Sequence, residues 1–240
     1  MGMKNTSFVR NLPNAVTCCN LMSGCVAVFH AFVGCYATAF LFIVIGAVFD
    51  FLDGFCARLL GVSSPVGKEL DSLSDVVTFG VAPSAMAFSV LASCRYPEGC
   101  LWLRDYAPYV SFVMAAFSAL RLAKFNLDSR QTTSFIGLPT PANALFWASL
   151  VTGWGKCLLA WEPAPVIVVA LLAVSCALLV AELPMFALKF KSFGWRGNEA
   201  RYVFLIVCLP LLAVFRHACF AAVVVWYVLL SLWLARRRPC

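Results

Sequence analysis

The chain has 240 residues, of which 62% are hydrophobic and 12% are charged, and its mean hydropathy is +0.90. Soluble domains carry about 25% charged and roughly 45–50% apolar residues, so this composition excludes a soluble globular protein and indicates an integral membrane protein. The net charge of +7 needs no nucleic-acid partner, because basic residues beside membrane spans bind lipid head groups.

Apolar stretches recur along the whole chain, and a membrane-crossing helix needs about 20 such residues. The predicted spans are 15–33, 36–58, 70–92, 106–125, 142–159, 166–184, 202–215 and 218–235. We therefore predict an all-α integral membrane protein with a bundle of about eight transmembrane helices. The predicted divisions are an N-terminal segment, 1–14, a six-helix catalytic core, 15–185, a basic linker, 186–201, and a C-terminal hairpin with a basic tail, 202–240.

The distribution of Lys and Arg gives the orientation of these spans, because cytoplasmic loops are enriched in both residues. Of the 18 basic residues, four fall on one side of the membrane, which leaves 14 on the other. Those four are Arg95, Arg104, Lys156 and Arg216. The sequence therefore predicts that both termini face the cytoplasm, and the expected location is the bacterial inner membrane.

Four aspartates interrupt the second and third predicted spans near their cytoplasmic ends. Asp50 and Asp53 are three residues apart, and Asp71 and Asp75 are four apart, so each pair lies on one helical face. An aspartate costs roughly 2.5–3.5 kcal/mol to insert near the centre of a span, and less near its ends. Carboxylates that face one another also repel, so the four acids require a positive partner.

Neighbouring basic residues balance this acidic charge only in part, because Arg58 and Lys68 supply two charges against four. Carboxylates without His or Cys form a hard-oxygen ligand set, which suits Mg²⁺ or Mn²⁺. Two such ions could clamp a phosphoryl group. The alternative is that the acids are simply solvated at a helix end. The twelve cysteines contain no CxxC pair, so no zinc site is predicted.

The segment from Asp50 to Asp75 resembles the signature of CDP-alcohol phosphatidyltransferases at every fixed position. It reads Asp50-x2-Asp53-Gly54-x2-Ala57-Arg58-x8-Gly67-x3-Asp71-x3-Asp75. The resemblance implies a bundle with six core transmembrane helices and two divalent cations, Mg²⁺ or Mn²⁺. It also implies a CDP-linked lipid as the phosphatidyl donor, an alcohol as the acceptor and CMP as the leaving group.

The resemblance assigns roles to the matched residues. The implied metal ligands are Asp50, Asp53, Asp71 and Asp75, and Asp75 would also be the catalytic base. The expected CDP-binding residues are Gly54, Ala57, Arg58, Gly67, Thr17 and Asn20. The small residues among them would let the nucleotide approach closely, although helix packing alone would explain small residues equally well.

Two other segments are similar to signatures of the phosphatidylserine synthase subfamily. They are NLPNAVTCCNLMSGCVAV in the first span, and ALRLAKFN followed by FIGLPTPANA, at residues 119–126 and 135–144. Lys124 stands where that subfamily usually has Arg. The resemblance implies CDP-diacylglycerol and L-serine as substrates, in contact with membrane lipid, and a homodimer.

The carboxylate of serine needs cations, and the predicted serine-binding residues are Arg121, Lys124, Asn126 and Arg130. These basic residues could equally be a cytoplasmic flank of the span. Two other functions stay open at this point. The same chemistry could use glycerol 3-phosphate or an inositol phosphate, although those acceptors would favour more Arg. An ion or proton transporter would also use intramembrane acids, but its acids would more often be spread through the depth of the bundle.

Overall fold

The computed structural model describes residues 7–62, 64–96, 98–127, 135–186, 194–195 and 198–237. The first half contains α1 (Ser7–Phe32), α2 (Tyr36–Leu60), α3 (Pro65–Asp75), a π-helical segment (Val76–Val81) and α4 (Ala82–Ser93). The last three elements follow one another without a break, so they form one continuous helical stretch. The acids of the third predicted span lie in the first part of this stretch.

Short turns join these helices and use residues suited to them. Gly34 and Gly61 adopt positive φ values of 76° and 62° after α1 and α2, a conformation that glycine adopts without steric cost. Ser64 then caps α3, since its Oγ accepts a hydrogen bond from the Gly67 amide at 2.9 Å. Pro65 follows at the start of the helix, where a missing N–H costs nothing.

The second half continues with helices and one short strand pairing. Its elements are α5 (Leu103–Tyr106), α6 (Phe112–Leu127), β1 (Phe135–Ile136), α7 (Thr140–Ala160), α8 (Ala164–Val180), β2 (Pro184–Met185), α9 (Glu199–Phe215) and α10 (Cys219–Arg237). Short 3₁₀ turns lie at Glu98–Cys100, Ala107–Ser111 and Arg216–Ala218. The antiparallel pairing of β1 with β2 adds a feature that the all-helical prediction lacks.

The predicted class, an all-α integral membrane protein, is confirmed. Helices long and apolar enough to cross a membrane are Asn11–Phe32, Tyr36–Leu60, Pro65–Ser93, Leu103–Leu127 and Glu199–Arg236. The last of these contains α9 and α10, which pack together through Phe204 and Tyr227, with ring centroids 6.0 Å apart. Each of the predicted spans overlaps a helical stretch, although the span predicted at 166–184 extends beyond the end of α8 at Val180, and the number of membrane crossings stays a prediction.

The main hydrophobic core is formed by side chains of α1, α2, the π-helical segment, α4, α6, α7 and α8. Its largest fully buried side chains include Trp147 and Phe79. Trp147 is also anchored by a hydrogen bond, since its Nε1 donates to Ser175 Oγ of α8 at 3.0 Å. This core fixes α7 against the helices that carry the acidic residues and their neighbours.

Two glycines let α1, α2 and the π-helical segment approach closely around Thr78. A Cβ atom on Gly24 or on Gly46 would collide with Thr78. Thr78 Oγ1 donates a hydrogen bond to the Asn20 carbonyl at 3.1 Å, which ties the π-helical segment to α1. This close contact places the C-terminal end of α2 and the residues of α3 next to the first turns of α1.

Candidate active site

Three of the four aspartates meet where α2 and α3 face each other. Carboxylate oxygens of Asp50, Asp53 and Asp71 all lie within 4.8 Å of one another. The carboxylates of Asp50 and Asp71 are therefore close enough for their negative charges to repel each other. The spacing of the acids in the sequence predicted this convergence, because each pair occupies one face of its helix.

Asp75 is buried one turn beyond Asp71 on α3 and has its own partner. Its Oδ1 accepts a hydrogen bond from Asn20 Nδ2 at 3.2 Å, and both side chains are buried. The charges of Asp50 and Asp71 act on Asp75, so it belongs to the same electrostatic unit. Asn20, which we expected in the CDP pocket, therefore contacts the expected base.

Thr17 links α1 to the cluster. Its Oγ1 lies 2.6 Å from Oδ2 of Asp53 and 3.0 Å from the Pro13 carbonyl oxygen. The Thr17 hydroxyl has only one hydrogen to donate. We assign it to Asp53, because an ionised carboxylate is a stronger acceptor than a backbone carbonyl. Ser74 Oγ of α3 donates a hydrogen bond to the Thr17 carbonyl oxygen at 3.3 Å, so the backbone of Thr17 is also bonded to α3.

The three clustered aspartates fit a hard divalent cation. Oxygen donors from three carboxylates, close together and without His or Cys, are what Mg²⁺ or Mn²⁺ prefers. Asp71 Oδ1 is buried and has no hydrogen-bond donor among the described residues, so it is available as a ligand. Like charges packed this closely also require a positive partner.

A cleft of about 200 Å³ opens beside the aspartates between α1, α2 and α3. It is lined by Pro13, Asn14, Thr17, Asp53, Gly54, Ala57, Val62, Ser64, Gly67, Lys68 and Asp71. Four expected CDP-binding residues are in this lining, namely Thr17, Gly54, Ala57 and Gly67. Arg58 is exposed and is not part of this lining, because it follows Ala57 directly and so points to another side of α2.

The two signature glycines in the cleft have different surroundings. A Cβ atom on Gly54 would meet nothing within 4 Å, so this glycine faces open space and does not serve helix packing. A Cβ atom on Gly67 would lie 2.8 Å from Asn14 Oδ1 and 3.0 Å from Ser64 Oγ. Gly67 therefore permits the close approach of α1 and the cap of α3.

The expected serine-binding residues lie on or after α6, and they differ in position. Arg121 is 7% exposed, its guanidinium carbon lies 5.1 Å from the centroid of the Phe125 ring, and its charge interacts with Asp75. Lys124 is exposed. Asn126 ties α6 to α3, since its Nδ2 donates to Ser72 Oγ at 2.7 Å. The predicted residue Arg130 lies outside the described residues.

Asn14 and Lys68 are among the cleft residues that were not assigned a binding role from the sequence. Asn14 belongs to the NLPN segment that carries the subfamily resemblance, and this was the available signal. Lys68 was considered only as a partial counter-charge, yet it lines the cleft, and its Nζ donates to the Asn126 carbonyl at 3.3 Å. Lys68 therefore places one positive charge in the cleft, next to Gly67 and the aspartates.

Comparison with known proteins agrees with this geometry. The model of the family described as CDP-alcohol phosphatidyltransferase matches residues 10–180. A CDP-diacylglycerol–serine O-phosphatidyltransferase of Bacillus subtilis (strain 168) is 38% identical over 130 residues, which cover 54% of this chain and 69% of that protein. A Helicobacter pylori (strain ATCC 700392 / 26695) protein of the same name is 36% identical over 135 residues, 55% of this chain and 54% of that protein.

An archaeal relative extends the comparison. An archaetidylserine synthase of Methanothermobacter thermautotrophicus is 32% identical over 154 residues, which cover 63% of this chain and 62% of that protein. The chain thus spans about half to two thirds of the length of the curated relatives it matches. The family match includes the four aspartates, the cleft, and the whole of α7 and α8.

Proposed function

The chain belongs to the CDP-alcohol phosphatidyltransferase family, and from this premise we propose that it is a phosphatidylserine synthase. It transfers the phosphatidyl group of CDP-diacylglycerol to the hydroxyl of L-serine and releases CMP. The observation that carries the proposal is the cluster of Asp50, Asp53 and Asp71 beside the cleft. The names of the serine-specific relatives favour serine over other acceptors.

The donor nucleotide occupies the cleft between α1, α2 and α3. Gly54 leaves room for it, since no atom lies within 4 Å of its Cβ position. Lys68 lines the cleft and supplies a positive charge for the diphosphate. Arg58, at the exposed end of α2, remains a proposed contact for the nucleotide's outer part.

Asp50, Asp53 and Asp71 would hold one divalent cation, and Asp75 would be an additional ligand for a second. When bound, Mg²⁺ or Mn²⁺ neutralises the diphosphate and stabilises the charge that develops on the phosphoryl oxygens. Thr17 fixes the orientation of Asp53 through the contact of 2.6 Å. A partner that orients a ligand in this way tunes its affinity for the metal.

Asp75 is the proposed base. Its Oδ1 accepts the hydrogen bond from Asn20, which leaves Oδ2 to take the proton of the serine hydroxyl. The serine oxygen then bonds to the phosphorus that carries diacylglycerol, the bond from this phosphorus to the CMP oxygen breaks, and CMP leaves with that electron pair. A carboxylate is a weak base for an alcohol, so correct positioning supplies much of the rate.

The acyl chains of the donor stay in the lipid while its head group enters the cleft. We propose that the site and both termini face the cytoplasm, in the bacterial inner membrane, because the basic residues concentrate on that side. We also propose a homodimer, as the family resemblance implies.

The test is an acceptor comparison with purified protein in mixed micelles. CDP-diacylglycerol and Mn²⁺ or Mg²⁺ are supplied with L-serine, glycerol 3-phosphate, an inositol phosphate or no acceptor, and CMP and lipid products are measured. We expect CMP release and phosphatidylserine formation with serine alone. Turnover with glycerol 3-phosphate or the inositol phosphate in place of serine would show another acceptor, and no CMP release with any of them would refute the proposed chemistry.

A further inference from the structure

Two polar side chains at the start of α7 are buried without partners. Thr140 and Asn143 are both 0% exposed. Thr140 Oγ1 and both polar atoms of the Asn143 amide, Oδ1 and Nδ2, have no hydrogen-bond partner in the part of the chain that the structure describes. Buried polar groups in native proteins are nearly always paired, so these three atoms require a ligand or bound water.

Several other buried hydroxyls in the same bundle are paired within their own helical stretch. Ser84 Oγ donates to the Gly80 carbonyl at 2.7 Å, and Ser118 Oγ donates to the Met114 carbonyl at 2.8 Å. One turn beyond Asn143, the Trp147 indole donates to Ser175. Among the described residues, single unpaired polar atoms also occur elsewhere, for example at His30 and Ser231, whereas the first turn of α7 brings three such atoms together.

The start of α7 is held rigidly in place. The Gly137 amide donates to the Leu183 carbonyl and the Leu138 amide donates to the Leu178 carbonyl, both at 2.9 Å. Gly137 has φ 75°, and a Cβ atom there would lie 2.9 Å from the Leu179 carbonyl oxygen, so only glycine fits this approach. Such anchoring keeps Thr140 and Asn143 at a fixed position, as a binding site requires.

A buried cation belongs to the same region. α7 packs against α6 and against the π-helical segment that directly follows Asp75. Arg121 of α6 is 7% exposed, its charge interacts with Asp75, and its guanidinium carbon lies 5.1 Å from the centroid of the Phe125 ring. A buried guanidinium, which has five N–H donors in a planar fork, is suited to an anionic ligand.

We propose that Thr140, Asn143 and Arg121 form the subsite that recognises the amino-acid part of the acceptor, an inference that rests on the proposed function. Arg121 pairs with the α-carboxylate, and Asn143 Nδ2 and the Thr140 hydroxyl donate to the same group. Asn143 Oδ1 accepts a hydrogen bond from the α-ammonium. The acceptor hydroxyl is then directed towards Asp75, whose charge interacts with Arg121.

Such a subsite determines selectivity as well as affinity. A site built to hydrogen-bond a substrate group rejects analogues that lack it, because its buried polar atoms are then left unpaired. Ethanolamine has the hydroxyl and ammonium of serine without the carboxylate, and L-serine methyl ester has the carboxylate masked. We expect both to be poor acceptors for the unmodified protein.

The variants for the test are Thr140→Val and Asn143→Leu, which remove the polar atoms at similar volume, and Thr140→Ser, which retains the hydroxyl. CMP release is measured against serine concentration at saturating CDP-diacylglycerol, and then against CDP-diacylglycerol at saturating serine. For Val and Leu we expect the KM for serine to rise about 10-fold or more, while the KM for CDP-diacylglycerol stays unchanged. The Ser variant should keep the KM of the unmodified protein.

The outcomes separate the two proposals. If the unmodified protein releases no CMP with serine, the proposed function fails and the subsite fails with it. If the protein uses serine but the folded Val and Leu variants keep its KM, then the unpaired atoms bind water only, and the subsite alone is refuted. If these variants do not fold, the unmodified protein decides the question: equal kcat/KM for serine and its methyl ester would refute recognition of the carboxylate, and a loss of about 10-fold or more would support it.

Discussion

The Thr17 hydroxyl lies 2.6 Å from Oδ2 of Asp53, and this contact joins α1 to the acidic face of α2. Thr17 is itself buried, so the hydrogen bond is shielded from water. The first helix is therefore part of the acidic site, although it carries none of the aspartates. This relationship predicts how the site responds when the hydroxyl is removed.

Thr17→Val removes the donor to Asp53 and keeps the shape of the side chain. Because a partner of a metal ligand typically contributes about 10–100-fold to metal affinity, we expect the Mn²⁺ concentration for half-maximal activity to rise by about 10-fold or more. The measurement is CMP release against free Mn²⁺. Thr17→Ser is the matched control and should keep the original Mn²⁺ dependence. An unchanged Mn²⁺ dependence in a folded Val variant would contradict a role for Thr17 in orienting Asp53.

Asp75→Asn removes the proposed base and keeps the side-chain size. A positioned base contributes typically 10²–10⁴-fold, as an order of magnitude, so we expect serine-dependent CMP release to fall by at least about 100-fold. Binding of CDP-diacylglycerol, followed by the shift in Tm at fixed Mn²⁺, should persist because Asp50, Asp53 and Asp71 still form their cluster. Activity close to that of the unmodified protein would remove the base assignment from Asp75.

The sequence predicted the helices and the acidic cluster because both depend on local spacing. Asp50 and Asp53 must share a face of α2 wherever that helix packs, and Asp71 and Asp75 must share a face of α3. A short turn between the two helices then brings these faces together. The apolar runs likewise predicted the helical stretches, since their length and composition reflect the bilayer.

Features that depend on contacts between distant residues could not be predicted in this way. Phe135 and Ile136 pair with Met185 and Pro184, about fifty residues further along the chain, and neither segment shows a strand pattern. The unpaired state of Asn143 depends on how α7 packs against its neighbours. The burial of Arg121 similarly distinguishes it from the exposed Lys124, and no charge pattern showed that difference.

The two cleft glycines should respond in opposite ways to alanine. Gly54→Ala adds a methyl group to open space inside α2, so the free energy of unfolding should rise by up to about 1 kcal/mol. The same methyl group narrows the cleft, and the KM for CDP-diacylglycerol should rise. Gly67→Ala should instead lower Tm, because its Cβ would lie 3.0 Å from Ser64 Oγ and disturb the cap of α3. Thermal unfolding and donor titrations check both expectations.

Equal effects on Tm in the two glycine variants would contradict these different surroundings. An unchanged donor KM in Gly54→Ala would place the nucleotide outside the cleft. Gly99 provides a matched control for the added methyl group, since nothing lies within 4 Å of its Cβ position either, and it is far along the chain from the aspartates. Gly99→Ala should therefore leave the donor KM unchanged.

Removal of divalent cations should abolish activity and lower stability together. The carboxylate oxygens of Asp50, Asp53 and Asp71 lie within 4.8 Å of one another. Without a cation these negative charges repel, and this repulsion destabilises the folded state. After dialysis against a chelator we expect no CMP release and a lower Tm, and both should return with Mn²⁺ or Mg²⁺. A ligand at about 100 times its Kd stabilises the folded state by about 2.7 kcal/mol, which a thermal shift can detect. Asp53→Asn is the control, in which added Mn²⁺ should raise Tm less. Full activity in protein shown by elemental analysis to be free of metal would contradict the proposed cofactor.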